Sequence, residues 1–258
     1  MAHVYKYYAP TYYSMDALTN EYFWFAKRSI LNDPFDINGK IFETFPQFKD
    51  MLENKGYNIE AYKKTLEKFA ICSFTKRNDN RHFWSLYSDT YKGWCLEFDE
   101  DNLVDTARYG IPNVLQDAIY LSSLPDLNNQ FENLQIKSYD DGSTVETPIS
   151  SLLYDERGRE QLFTYLLRVK EDEVWSMEEE RRLILGNNYL RIHKETDGNG
   201  YKIPWQKNAL KSIIVGQNIS PCNKELIHLI AKERQIKVYE AIPKLVKKVF
   251  TVQIEEIY

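Results

Sequence analysis

Histidine and cysteine are scarce in this chain, with four and three copies among 258 residues. His3, His82, His193 and His228 form no pair at helical spacing, and Cys72, Cys95 and Cys222 stand far apart with no Cys-x-x-Cys. No built-in metal site is expected from them, and three separated cysteines point to free thiols in a reducing compartment. Long apolar runs are missing as well. No stretch approaches the roughly 20 apolar residues of a membrane-spanning helix. The opening MAHVYKYYAP has no charged segment followed by an apolar run, so no signal peptide is expected. These absences predict a cytoplasmic protein with no membrane partner. An excess of positive charge is also lacking. The formal net charge of −5 argues against a broad basic face for duplex DNA, while 33 Lys and Arg leave room for a local RNA groove.

What the chain has in quantity is aromatic rings: Tyr, Phe and Trp make up 14% of it. That is enough to fill an aromatic core, and enough to leave a cleft that stacks a planar ligand. The pattern along the chain favours strands. Residues 3–8, 22–26, 69–74, 93–98, 118–123, 181–186, 212–216, 236–241 and 248–257 read as strands. Phe250, Val252 and Ile254 share one face of the last. Helices are predicted at 14–19, capped by Ser14, and at 43–69 in two pieces split at Lys55-Gly56. In the second piece Tyr62, Leu66 and Phe69 share a face. Further helices are predicted at 160–169 and after Ser220-Pro221, the latter burying Leu226, Ile227 and Ile230. Residues 137–148 read as a polar loop with an Asp-Asp-Gly turn. The unit 212–241 is strand–helix–strand, which predicts a parallel pair. Strands dominate and βα alternation is irregular. The expected fold is therefore α+β, with two packed, mainly antiparallel sheets and flanking helices in a single domain, 1–258.

Four segments combine residue types that carry chemistry. Tyr5-Lys6-Tyr7 places a lysine between two aromatic residues on a strand. Asn32-Asp33-Pro34-Phe35 is a turn whose amide and carboxylate hold local backbone or face a ligand. Trp84 and Tyr87 stand three apart beside Gly93, which allows sharp entry into the next strand. Trp175-Ser-Met-Glu178-Glu179-Glu180-Arg181-Arg182 leads a run of carboxylates into a buried strand. If extended, it puts Glu178, Glu180 and Arg182 on one face and Glu179 and Arg181 on the other. Two carboxylates on one face repel, so such a pair holds a proton or orients a cation, and Arg182 lowers the cost. Each segment also has a plainer reading: core tyrosines, an Asx turn, core aromatic residues, a solvated charge run.

In order, these motifs resemble a bacterial family, domain of unknown function 2971. The resemblance covers Tyr5-Lys6-Tyr7, Asn32 to Phe35, Cys72-Ser73-Phe74, Trp84 with Tyr87, and Gly93 to Phe98. It continues through Trp175-Glu178-Glu180-Arg182 and Leu210 to Gly216. The chain has Cys-Ser-Phe where that family more often has Cys-Phe-Ser. A more distant resemblance is to ADP-ribosyltransferases, through Glu178-x-Glu180 before a late strand. It departs from them in having Lys6, not His or Arg, on the first strand. That resemblance implies NAD as substrate, with no metal and no catalytic cysteine. It implies Glu180 on the ribose and Glu178 on the acceptor nucleophile as the catalytic pair. The NAD-binding residues would be Lys6, Tyr7, Asn32, Asp33, Phe35, Trp84, Tyr87 and Arg182, with Arg77 or Arg81 also near the pyrophosphate. The acceptor would be a protein or a nucleic acid, RNA or DNA. A role as a toxin or phage-defence effector, with a neutralising partner protein, would follow. Two other classes stay open on the residues: a non-catalytic module that binds a ligand or partner, and an RNA nuclease using the same carboxylates.

Overall fold

Alternating side chains put His3–Tyr8 in a strand (β1), as predicted. The computed structural model describes residues 2–31, 45–54, 56, 58–66, 69–105, 115–123, 135–140, 143–148, 165–186, 190, 195–196 and 198–258. The first helix, Tyr12–Thr19 (α1), begins before Ser14. Thr11 is its cap, and Thr11 Oγ1 accepts from the Ser14 N–H at 3.2 Å. Strand Tyr22–Lys27 (β2) follows. Helices Pro46–Asn54 (α2) and Ile59–Leu66 (α3) divide about Lys55-Gly56, as the sequence predicts; the side chains of Tyr62 and Leu66 lie outside the described residues, and Phe69 lies beyond the helix.

Next come Ala70–Thr75 (β3), Arg81–Leu86 (α4) and Trp94–Asp99 (β4). The predicted strand at 118–123 is two short ones, Leu115–Asp117 (β5) and Ile119–Leu121 (β6). The predicted polar loop at 137–148 is a hairpin, Gln135–Asp140 (β7) with Ser143–Pro148 (β8). Its two turn residues, 141–142, lie outside the described residues. Its polar content hides the strand signal from the sequence pattern.

Of the helix predicted at 160–169, residues 160–164 lie outside the described residues, and Val169 already belongs to a strand, Val169–Glu171 (β9). Helix Asp172–Trp175 (α5), a 3-10 turn at Ser176–Glu178 and strand Glu180–Leu185 (β10) follow. The chain continues through Glu195–Thr196 (β11), Gly200–Pro204 (β12), Leu210–Gly216 (β13), Pro221–Arg234 (α6), Lys237–Val246 (β14) and Val249–Glu256 (β15). Ser220 caps α6 and Pro221 starts it, as expected. The buried residues of α6 are Ile227, Ile230 and Ala231. Leu226 points outward instead, 37% exposed. β13 and β14 pair in parallel across α6, as predicted.

The fold is mixed α and β and mostly sheet. In place of two separate sheets, the main sheet is continuous and branched. β10 pairs with β3 along its whole length, from Glu180–Thr75 to Leu185–Ala70. The opposite edge of β3 is shared. Thr75 pairs with Tyr5 of β1, while Ala70 and Ile71 pair with Lys27 and Ala26 of β2. A strand has only two edges, so β1 and β2 must part between Ile71 and Thr75. One branch runs β1-β4-β13-β14-β15 and the other β2-β12-β11. The branches face each other. The Phe23 ring on β2 lies 4.8 Å from Phe98 on β4 and 5.3 Å from Trp205. Val4, Leu96, Phe98, Phe23, Leu183 and Ile203 belong to this shared core. The other face of the first branch is packed by Trp84 with Tyr5, Tyr7 and Tyr91.

Candidate functional site

Register places the predicted residues. Tyr5 and Thr75 are opposite each other, and so are Thr75 and Glu180. Side chains of paired residues share a face, and the period of two carries that face to Tyr7 and Arg182. Tyr7, Glu180 and Arg182 therefore lie on the face away from the shared core. Helix α4 covers part of this face and brings Trp84 and Tyr87. Tyr87 follows the last helical turn as its cap.

Glu178 and Glu180 reach the same place by different backbone routes. Glu178 ends a 3-10 turn and Glu180 begins β10. Glu179 between them is left-handed, with φ 43°, a conformation that costs a non-glycine residue about 1 kcal/mol or more. That kink aims both flanking carboxylates inward and turns Glu179 out, where it meets Arg77 Nη1 at 3.4 Å.

Inward, the two carboxylates meet Lys170. Its Nζ lies 2.8 Å from Glu178 Oε2 and 3.0 Å from Glu180 Oε2. Arg182 grips Glu180 with both arms, Nε to Oε1 at 2.9 Å and Nη2 to Oε2 at 3.0 Å. Arg182 Nη1 also donates to the Leu167 carbonyl at 2.6 Å. The four side chains are between 1% and 9% exposed, so each charge must be matched locally. Two anions and two cations make a neutral quartet. Lys170 comes from β9, which pairs with β6 and sets Tyr120 beside it. Tyr120 OH accepts the Glu180 backbone N–H at 2.7 Å. The Lys170 ammonium also stands 4.4 Å from the centre of the Trp175 ring.

Acceptor capacity separates the two glutamates. A carboxylate offers about four lone-pair positions. Glu180 uses three of them, on Arg182 Nε, Arg182 Nη2 and Lys170. Glu178 takes one bond from Lys170 and one from Tyr87 OH, the latter at 2.6 Å. Burial by itself would raise the Glu180 carboxyl, but Arg182 and Lys170 outweigh it and hold it down to about 2. Burial likewise pulls the Lys170 ammonium down, and the two glutamates more than reverse that.

Lys6 sits on the other face of β1, its ammonium 5.5 Å from the centre of the Phe74 ring. It reaches the gap where β1 and β2 part and donates to the Ser73 carbonyl at 2.8 Å. Lys6 and Glu180 thus lie on opposite faces of the sheet. Trp84 offers no free face. It is fully buried, stacks on Tyr91 at 5.6 Å, and donates from Nε1 to the Asn78 carbonyl at 2.7 Å. Tyr7 packs edge-on against Phe83 and Trp84, each at 5.1 Å. Asn32, Asp33, Pro34 and Phe35 lie outside the described residues. Arg77 is about half exposed and held by Asp79 and Glu179, and Arg81 lies over Phe250 at 5.6 Å.

Sequence reasoning missed Lys170, Tyr120 and Ser73. Lys170 sits in Val-Lys-Glu-Asp-Glu, which reads as a solvated stretch; only its place in an alternating strand hints at burial. Among the described residues no group of His, Cys, Asp and Glu is arranged to hold a metal ion, and no helix is long and apolar enough to cross a membrane. A cavity of about 420 Å³ lies away from the quartet, lined by α6 residues such as Lys224 and His228 and by Tyr258. No known family, no curated protein and no solved structure matches the chain.

Proposed function

We propose that the protein is an NAD-dependent ADP-ribosyltransferase that modifies a macromolecule, with an ADP-ribosyltransferase-like arrangement of its branched sheet. The supporting observation is that Glu178 takes a single bond on each carboxylate oxygen, beside a Glu180 clasped on both oxygens by Arg182 and also by Lys170. In this reading Glu180, Lys170 and Arg182 form a fixed base that keeps Glu178 aimed. Glu178 accepts a hydrogen bond from a ribose hydroxyl and favours the positive charge that develops as the bond from ribose to nicotinamide breaks. Nicotinamide leaves with the bonding electron pair, and the acceptor nucleophile forms the new bond to the ribose carbon and gives up its proton to water. Arg77, half exposed near this end of β10, is the cation best placed for the pyrophosphate. The motif resemblance to ADP-ribosyltransferases supports the reaction class, but it implies Glu180 on the ribose and Glu178 on the acceptor; the heavier use of Glu180 by Arg182 and Lys170 reverses those roles in this reading. The acceptor, protein or nucleic acid, belongs to the proposal as a class only.

The test is transfer of label from NAD to cell extract and release of nicotinamide by purified protein. Wild type is expected to label, and Glu178→Gln to fall by about a hundredfold or more. Labelling that survives in folded Glu178→Gln overturns the assignment of Glu178.

One observation favours a second reading, a non-catalytic binding module. The quartet is neutral and buried, and Glu180 is clasped by both Arg182 and Lys170, which suits a purely structural ion cluster. Folded protein with no NAD turnover and no NAD binding is the outcome that reading expects.

A further inference from the structure

The strand β15 closes one end of the main sheet, and among the described residues nothing pairs with its outer edge. Its pairing with β14 fixes which groups face outward. Beyond the pair Tyr239–Glu256, the Ile257 N–H donates to the Val238 carbonyl at 3.0 Å, a bond that faces β14. Every second pair along an antiparallel ladder does the same. The N–H and carbonyl groups of Phe250, Val252, Ile254 and Glu256 therefore point away from β14. This edge is long, β-favouring and free of proline, the kind that soluble proteins ordinarily blunt.

Half of the hairpin also projects. β13 pairs with β14 only from Lys237 to Ala241, while β14 and β15 pair on to Val246–Val249. The projecting part exposes Leu245, Val249 and Phe250 at 64%, 59% and 68%. A two-stranded ribbon with bare apolar side chains is marginal in water. Its turn, Lys247-Lys248, takes left-handed φ values of 48° and 69° without a glycine, which sets two ammonium groups at the tip.

We infer that β15 pairs antiparallel with β15 of a second copy of this chain, joining two sheets across a two-fold axis. The charge pattern selects this occupant. β15 follows the turn lysines Lys247 and Lys248 and ends in Glu255 and Glu256, whose carboxylates meet Lys244 and Lys237 of β14 through one oxygen each. Antiparallel self-pairing brings opposite ends together. With the axis at Val252, Phe250 stands opposite Ile254 and Lys248 opposite Glu256, each twice. The outward backbone groups then satisfy one another, and the apolar row of Phe250, Val252 and Ile254 runs unbroken across the interface. An acidic or basic partner strand would match only one end of this edge.

Sedimentation velocity of the full chain tests the inference. Wild type is expected to be dimeric at about 100 µM. Phe250→Pro removes an outward N–H without touching the bonds to β14, and is expected to weaken the dimer by about tenfold or more. Lys248→Glu is expected to weaken it as well, and Lys248→Glu with Glu256→Lys to restore it. Far-UV circular dichroism matching wild type establishes that each variant is folded. A wild type that stays monomeric at that concentration overturns the inference, as does a dimer that Phe250→Pro and Lys248→Glu leave unchanged. A monomer that binds acidic vesicles or RNA through its lysine tip overturns it too. None of these outcomes depends on NAD chemistry.

Discussion

Glu178 and Glu180, separated by one left-handed residue, share the single ammonium of Lys170 at 2.8 and 3.0 Å. Without that ammonium, two buried carboxylates would face one guanidinium. Lys170→Met is expected to destabilise the protein by about 3–5 kcal/mol at neutral pH. One carboxyl is then expected to take up a proton in the folded state as pH falls, so the deficit should shrink toward pH 5. Urea unfolding at both pH values measures this.

The Glu180 carboxyl has the opposite sign in the wild type. It is held down from 4.5 to about 2 in the folded protein. Between those values the unfolded chain binds the proton first, so acid weakens the fold there. The stabilisation is complete above about pH 4.5 and is lost on going down through pH 2, on the order of 3 kcal/mol. In Glu180→Gln this part of the pH dependence should vanish, while stability at pH 7 drops. Denaturant midpoints from pH 2 to 7 for both proteins check it.

Gly93 meets a different constraint. A Cβ there would lie 1.9 Å from the Tyr8 carbonyl oxygen, so Gly93→Ala must push β1 away from the start of β4. A loss of roughly 2–4 kcal/mol is expected, read by thermal unfolding. The sequence singles out Gly93 for a sharp turn; the structure gives close backbone approach as the reason.

How much could be read beforehand follows from where the information lies. Val4, Phe23, Phe98 and Ile213 alternate or cluster strongly enough to announce buried strands, and Ser220-Pro221 announces α6. The sharing of one side by Glu180 and Arg182 is also in the local spacing, but Glu178 joins them through a 3-10 turn and the left-handed Glu179, which spacing does not show. The branching at β3 is not, because it depends on Tyr5 and Ala26 meeting opposite ends of one strand edge. Lys170 is silent for the same reason. Its burial comes from β9 bringing Lys170 against Glu178 and Glu180, a tertiary event that the local sequence barely marks. Trp84 misleads in the other direction: an aromatic residue in a suggestive motif is consumed by Tyr7, Tyr91 and the Asn78 carbonyl.

Tyr87 links α4 to the quartet through one short bond to Glu178. Tyr87→Phe is expected to cost about 1.5–3 kcal/mol, as for a hydrogen bond to a charged group. Under the transferase reading it also lets the Glu178 carboxylate rotate, so NAD turnover should fall further than NAD binding. Parallel measurement of stability, NAD affinity and nicotinamide release separates these effects.

The crystal structure of the protein soaked with NAD bears most directly on the transferase account. The account expects a ribose hydroxyl within hydrogen-bond distance of a Glu178 carboxylate oxygen, with the pyrophosphate beside Arg77. NAD bound elsewhere, or no bound NAD at millimolar concentration in crystals with Glu178 accessible, would contradict it.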